Sequence, residues 1–318
     1  MDGREGANAG HVARDARAVP QSRRTSRGTR TSKFGVSTRE SHDASMFYDS
    51  AMYRGLPRES DVGDQQELPK GITNQVINGD ARDMSSIPDN SVHLMVTSPP
   101  YNASKSYDED LELKEYLDLL RGVFEECYRV LAPGGRACIN VANLGRKPYI
   151  PLASFINQIM IDIGFMPRGE VIWNKSATAG VSCAWGSWKS ASNPCLRDVH
   201  EYILIFSKGK YKLHRSRQEK EDGRVDTIGK EDFIEWTKSI WSFPTESAKR
   251  VGHPAPFPVE LPHRCIQLYT YAGDVVLDPF GGSGSTGVAA KRGGRRYVLF
   301  DLDEDYCKLA EERLASES

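Results

Sequence analysis

The sequence predicts an α/β protein built on a mainly parallel sheet. Three observations predict it. Short β-branched and aliphatic runs, such as Val92–Val96, Val275–Leu277 and Arg296–Phe300, alternate with stretches of helical apolar spacing. Two of these runs open into special loops, Thr97-Ser98-Pro99-Pro100-Tyr101-Asn102 and Asp278-Pro279-Phe280-Gly281-Gly282-Ser283-Gly284-Ser285-Thr286, and the third ends in Asp301. Open α/β sheets bind their ligands beyond the carboxyl ends of strands, so the loops fall where a site belongs.

Residues 1–45 are rich in Arg, Ser, Gly and Ala with almost no large apolar side chain, a composition expected to be a disordered basic tail. Its charge suits non-specific DNA contact, or it is simply a solvated tail. Gln75–Ile77 reads as a short strand ending at Asn78-Gly79-Asp80. Asp80 is open to two readings, an acceptor for a bound ligand or the N-cap of a helix over 81–85. Val92–Val96, bounded by Asp89-Asn90 and two prolines, reads as a buried strand. Asn102–Asp110 is polar and reads as a lid. Tyr116, Leu119, Leu120, Val123 and Phe124 mark a helix that stops near Pro133-Gly134-Gly135. A strand over Arg136–Val141, a helix over Ile150–Ile163, and strands over Gly169–Trp173 and His200–Phe206 follow. Two stretches, 176–197 and 207–252, break this rhythm, and Trp185, Trp188, Trp236 and Trp241 stand there among Lys189, Arg197, Arg215 and Arg217. Basic side chains interleaved with aromatics suit phosphate contact and base reading. The loop His253–Pro258 precedes a helix over Val259–Tyr269; the glycine loop, the strand ending at Asp301 and a closing helix over Glu304–Leu314 complete the chain.

Composition narrows the class. With 39% hydrophobic residues the 318-residue chain can bury a large core. A net charge of −1 means that any attraction to nucleic acid must come from local clusters. Six scattered cysteines without a Cys-x-x-Cys pair argue against zinc and disulfide frameworks. No apolar run has membrane-spanning length, so an intracellular, cytoplasmic protein is expected, nucleoid-associated in a prokaryote.

The Ser98-Pro99-Pro100-Tyr101 segment suits chemistry on an aromatic amine, whose lone pair is delocalised into its ring. Acceptors on both N–H bonds favour the pyramidal, attacking form. Ser98 Oγ can be one acceptor, and a carbonyl of a segment lacking proline N–H donors can be the second. Tyr101 offers a face for stacking, about 1–3 kcal/mol by analogy with single-strand binders. In the second loop, glycines allow close approach of a ligand to the backbone, and Asp301 stands where such folds hold a ribose diol.

A Ser-Pro-Pro-Tyr motif upstream of Asp-Pro-Phe-Gly-Gly-Ser-Gly resembles the β-class amino-methyltransferases of DNA, specifically the cytosine-N4 type, over roughly residues 72–315. The resemblance implies a Rossmann-like, circularly permuted S-adenosylmethionine-dependent fold. Its mixed seven-stranded sheet has the order 3-2-1-4-5-7-6, with helices on both faces and an inserted recognition region. Val275–Leu277 would be strand 1 beside Val92–Val96 as strand 4. A catalytic domain of 46–175, 198–206 and 253–318 is implied, with 176–197 and 207–252 as target-recognition insertions. The implied catalytic residues are Ser98, Pro99, Pro100 and Tyr101. The implied S-adenosyl-L-methionine contacts are Asp80 at the adenine amino group, Phe257 at the methionine end, Asp278, Pro279, Phe280, Gly281, Gly282, Gly284, Ser285, Thr286 and Asp301. DNA contacts would come from Trp185, Trp188, Lys189, Arg197, Arg215 and Arg217. Double-stranded DNA is the implied substrate, with base flipping, no metal, a monomeric or homodimeric enzyme, and a cognate restriction endonuclease as a further partner.

Alternatives differ by single features. Adenine-N6 members more often carry Asp at the position of Ser98. Glutamine-directed relatives carry Asn-Pro-Pro-Tyr. Carbon-5 methylation needs a thiolate, and Pro194-Cys195 lies in an insertion rather than after a strand at the switch point. A non-catalytic DNA-binding protein would not need both motifs intact.

Overall fold

The chain was studied as a computed structural model that describes residues 48–101, 111–145, 147–175, 185–245 and 258–317. Residues up to Gly55 form a unit of their own, whose described part holds a 3₁₀ turn at Ala51–Tyr53. Everything from Leu56 onward belongs to the second unit.

That unit is organised by one sheet. Its strands are β1 (Gln75–Asn78), β2 (Val92–Thr97), β3 (Leu131–Val141), β6 (Met166–Asn174), β7 (His200–Ser207), β8 (Ile240–Ser242), β9 (Val275–Asp278) and β10 (Arg296–Asp301), while β4 (Leu144–Gly145) and β5 (Tyr149–Ile150) pair separately. The order is β1-β10-β9-β2-β3-β7-β6-β8. Its first seven positions reproduce the expected 3-2-1-4-5-7-6 arrangement, and β8 adds an eighth strand where the sequence suggested only insertion. β2 and β9 are buried at every position, as expected of continuous apolar strands covered on both faces. They pair in parallel through Leu94–Val276 and Met95–Leu277, so distant segments of the chain meet at the sheet centre.

Helices cover both faces. On one, α1 (Leu113–Val130) and α2 (Leu152–Ile163) bury Tyr116, Leu120, Phe124, Ile156 and Met160 against the sheet. A reciprocal capping box between Glu112 and Glu115 starts α1. On the other face lie α5 (Glu260–Tyr269) and α6 (Ser285–Arg292), with α7 (Glu304–Ser316) closing the chain. Leu131 opens β3 directly after α1, earlier than Arg136, and Tyr149–Ile150 pairs with Leu144–Gly145, so α2 begins only at Leu152. Residues 81–85 form turns rather than a helix, which removes the helix N-cap reading of Asp80.

Strand direction places the first part of the second insertion. β7 runs antiparallel to β3, with Tyr202 beside Val141 and Ser207 beside Arg136, so the chain leaves β7 at the amino-terminal end of the parallel strands. There α3 (Arg217–Glu221) and α4 (Lys230–Trp236) follow. Arg224 reaches Asp274, just before β9, at 2.7 Å, and Arg215 pairs with Asp226 at 3.0 Å while lying over the Tyr271 ring. Arg215 and Arg217 therefore stand at the opposite end of the sheet from Ser98, against their expected place at a DNA-binding cleft. Trp236 and Trp241 are core residues, with Trp241 1% exposed. The first insertion leaves from the other end: Asn174 pairs with His200, and β6 runs the same way as β3, so residues 185–199 rise beside Ser98's end of the sheet.

Candidate active site

A cavity of about 190 Å³ opens at the carboxyl ends of β2, β9, β10 and β1. Ser98, Pro99, Pro100 and Tyr101 line one side, and Pro279, Phe280, Gly281, Gly282 and Ser285 the other. Asp80 and Asp301 close a third side. The two loops meet because their strands are neighbours, and one bond ties them: Thr97 Oγ1 donates to Asp278 Oδ1 at 2.6 Å.

The proline loop is held by its own groups. Tyr116 Oη donates to the Pro100 carbonyl at 2.7 Å. Tyr101 Oη accepts the Ala142 N–H at 3.1 Å, and burial pushes its phenol well above the ordinary range, so it stays protonated. Its ring leans on the core as well as on the cavity.

The glycine loop is built to bring backbone close to a guest. Gly282 has φ +48°, in the left-handed region, and its N–H donates to Asp301 Oδ2 at 2.8 Å. Gly284, at φ +78°, packs so tightly on α7 that a Cβ would stand 2.9 Å from that of Ala310. Asp301 also accepts the Asp303 N–H at 2.9 Å, and burial raises its carboxyl above the usual value. Asp80 sits across the cavity in a bidentate pair with Arg82, whose guanidinium holds the carboxyl below the usual range.

Three expected cofactor contacts do not face the cavity. Asp278 and Thr286 are fully buried, and Gly284 is turned toward Ala310. Asp278 instead gathers the Thr97 hydroxyl, the Phe280 N–H and the Thr286 hydroxyl at 2.6, 3.1 and 2.6 Å, and desolvation pushes its pKa up to about 6. It fixes the loops from behind. Loss of that acceptor in Asp278→Ala is expected to cost about 2–4 kcal/mol by stranding two buried hydroxyls, read as a fall in Tm of roughly 5–12 °C. Asp278→Asn, which still accepts on one side, should lose less.

Other residues line the cavity without having been singled out: Gly79, Arg82, Leu302 and Tyr306. Leu302 is 69% exposed beside Asp301. Phe257, the proposed lid over 102–110 and residues 1–45 lie outside the described residues.

Near the same end of the sheet, residues 185–195 form a small loop closed by the Cys195 N–H to Trp185 carbonyl bond at 2.9 Å. Trp185 and Trp188 meet edge to face at 5.2 Å, Arg197 stacks on Trp185 at 4.0 Å, and Lys189 lies over Trp188 at 5.6 Å. Trp188 is 63% exposed.

The family described as DNA methylase, of the N6/N4 methyltransferase group, matches residues 92–312. The chain belongs to this family. Among its relatives, the Type II methyltransferase M.MjaI of Methanocaldococcus jannaschii is 33% identical over 280 residues, 76% of this methylase and 90% of M.MjaI. M.MthZI of Methanothermobacter thermautotrophicus is 30% identical over 272 residues, 76% of each chain. A Thermus thermophilus protein assigned as a DNA modification methylase, solved with S-adenosyl-L-methionine, superposes with a TM-score of 0.62 at 34% identity, over 77% of this chain and 94% of that one. The cytosine-N4-specific PvuII DNA methyltransferase shares the fold at a TM-score of 0.60 and 21% identity, over 80% of this chain and 90% of its own.

The methylase uses S-adenosyl-L-methionine as methyl donor. The cavity fits it: Asp301 keeps carboxylate lone pairs for a ribose diol, the Gly281-Gly282 turn admits a close backbone approach, and Phe280 and Leu302 supply apolar walls. Its sulfonium supplies an electrophilic methyl group, so the protein's part is binding, orientation and electrostatics. No helix among the described residues is long and apolar enough to cross a membrane.

Proposed function

We propose that this DNA methylase transfers methyl groups to the exocyclic N4 of cytosine in duplex DNA, after the base leaves the helix. The observation that carries the reading is an uncharged serine, Ser98, at the mouth of the cavity shared with the glycine loop. A hydroxyl at this position, where adenine-N6 enzymes more often place a carboxylate, favours cytosine. Withdrawing a base costs a few kcal/mol, offset by stacking and hydrogen bonds in the pocket. Proximity can supply several of the roughly 7–11 kcal/mol available from orientation.

The adenine-N6 reaction is the second reading, because adenine presents the same amine beside a ring acceptor. Nucleoside mass spectrometry of DNA from expressing cells separates the two: N4-methylcytosine supports the proposal, and N6-methyladenine replaces it. The relatives named Type II methyltransferases support a companion restriction endonuclease.

The proposed DNA face follows the first insertion, with Trp185, Trp188, Lys189 and Arg197. Arg197→Ala is expected to weaken duplex binding several-fold and flatten its salt dependence by about one counterion. Arg215→Ala, at the far end of the sheet, should bind as wild type in the same fluorescence anisotropy titration.

A further inference from the structure

A line of polar groups crosses four neighbouring strands beneath the Ser98 loop. Lys175 follows β6, Glu201 lies on β7 opposite Trp173, Asn140 lies on β3 opposite Ile203, and Ser98 follows β2. Lys175 Nζ pairs with Glu201 Oε1, and the remaining carboxylate oxygen, Oε2, accepts Asn140 Nδ2 at 2.6 Å. The same Nδ2 faces Ser98 Oγ at 3.5 Å. Asn140 is 1% exposed, and among the described residues its amide oxygen accepts no hydrogen bond.

The carboxylate sets the amide. Turning Asn140 over would place its oxygen against Glu201 Oε2, so the short bond keeps Nδ2 on that side and leaves its second N–H for Ser98. An amide passes no proton readily, and the carboxylate is already neutralised by Lys175, so the line orients a hydroxyl rather than relaying a proton. A partly buried ion pair offers little net stability by itself. Its position beneath the reacting loop gives it a use.

We propose that Asn140, held by the Lys175–Glu201 pair, is a positioning residue that sets the Ser98 hydroxyl toward the target amine. The inference rests on Ser98 acting in transfer, as proposed above.

The test is a double-mutant cycle in single-turnover assays, with tritiated methyl from S-adenosyl-L-methionine and unmethylated genomic DNA as acceptor. Asn140→Ala is expected to slow transfer roughly 10-fold with cofactor Kd unchanged, and to add less than about 2-fold in a Ser98→Ala background. Isosteric Glu201→Gln should slow transfer similarly, and it carries the test if the Asn140→Ala melting curve shows an unfolded protein. Wild-type rates in both variants overturn the inference, as does an equal loss with and without the Ser98 hydroxyl, which marks a purely structural role. A wild-type rate in Ser98→Ala alone instead overturns the Ser98 assignment.

Discussion

Ser98→Ala is expected to lower single-turnover methyl transfer by about 100-fold while leaving S-adenosyl-L-methionine affinity unchanged, on the scale of one lost transition-state hydrogen-bond partner. The reacting amine must gain pyramidal character as the new N–C bond forms. An acceptor on its N–H is therefore worth more in the transition state than in the ground state, and its loss appears in the rate rather than in binding. The hydroxyl lies at the cavity edge, and the described cofactor-facing groups of the opposite loop do not depend on it. Calorimetry gives the affinity and quench-flow the rate. Unchanged transfer would remove Ser98 from the chemistry, and a parallel loss of cofactor affinity would mean that the loop, not the hydroxyl, was disturbed.

Residues 98–101 and 278–286 were readable because their special features are local. Prolines and glycines mark a turn wherever they stand, and an apolar run before each says that the turn crowns a strand. Their meeting was readable only through family resemblance, since nothing in Val92–Val96 itself names Val275–Leu277 as its neighbour. Asp278 escaped for the same reason. Its motif suggested a ligand contact, yet its defining partner, Thr97, is 181 residues away in sequence. Arg215 and Arg217 stand away from the Ser98 end of the sheet for a different reason. Composition marks a basic and aromatic segment, but only the antiparallel course of β7 decides at which end of the sheet that segment emerges. Trp236 and Trp241 likewise look the same in sequence whether they read bases or fill a core.

Asp301→Ala is expected to weaken S-adenosyl-L-methionine binding roughly 10- to 150-fold, corresponding to about 1.5–3 kcal/mol for hydrogen bonds to a charged acceptor. Two effects act together. On the proposal that Asp301 holds the ribose diol, the ribose hydroxyls lose their carboxylate, and the Gly282 and Asp303 N–H groups lose the acceptor that shapes the loop. Asp301→Glu separates them, because it restores the charge but not the reach. Affinity should also depend on pH with a definite sign. Burial raises the Asp301 pKa, so the binding form is complete above that raised value and is lost as pH falls through it, starting at a higher pH than for an exposed aspartate. Asp278, pushed up to about 6, acts on the loops from behind. Its own effect on stability runs the other way, because an acid whose folded pKa is raised favours the fold most when protonated, and that contribution fades as pH climbs from about 4 to 6. Calorimetric titrations carried toward acid pH should therefore show wild-type affinity declining as pH falls, and a shallower decline in Asp301→Ala. An equally steep decline in the variant would assign the acid limb to Asp278 and leave Asp301 as a loop-shaping group alone.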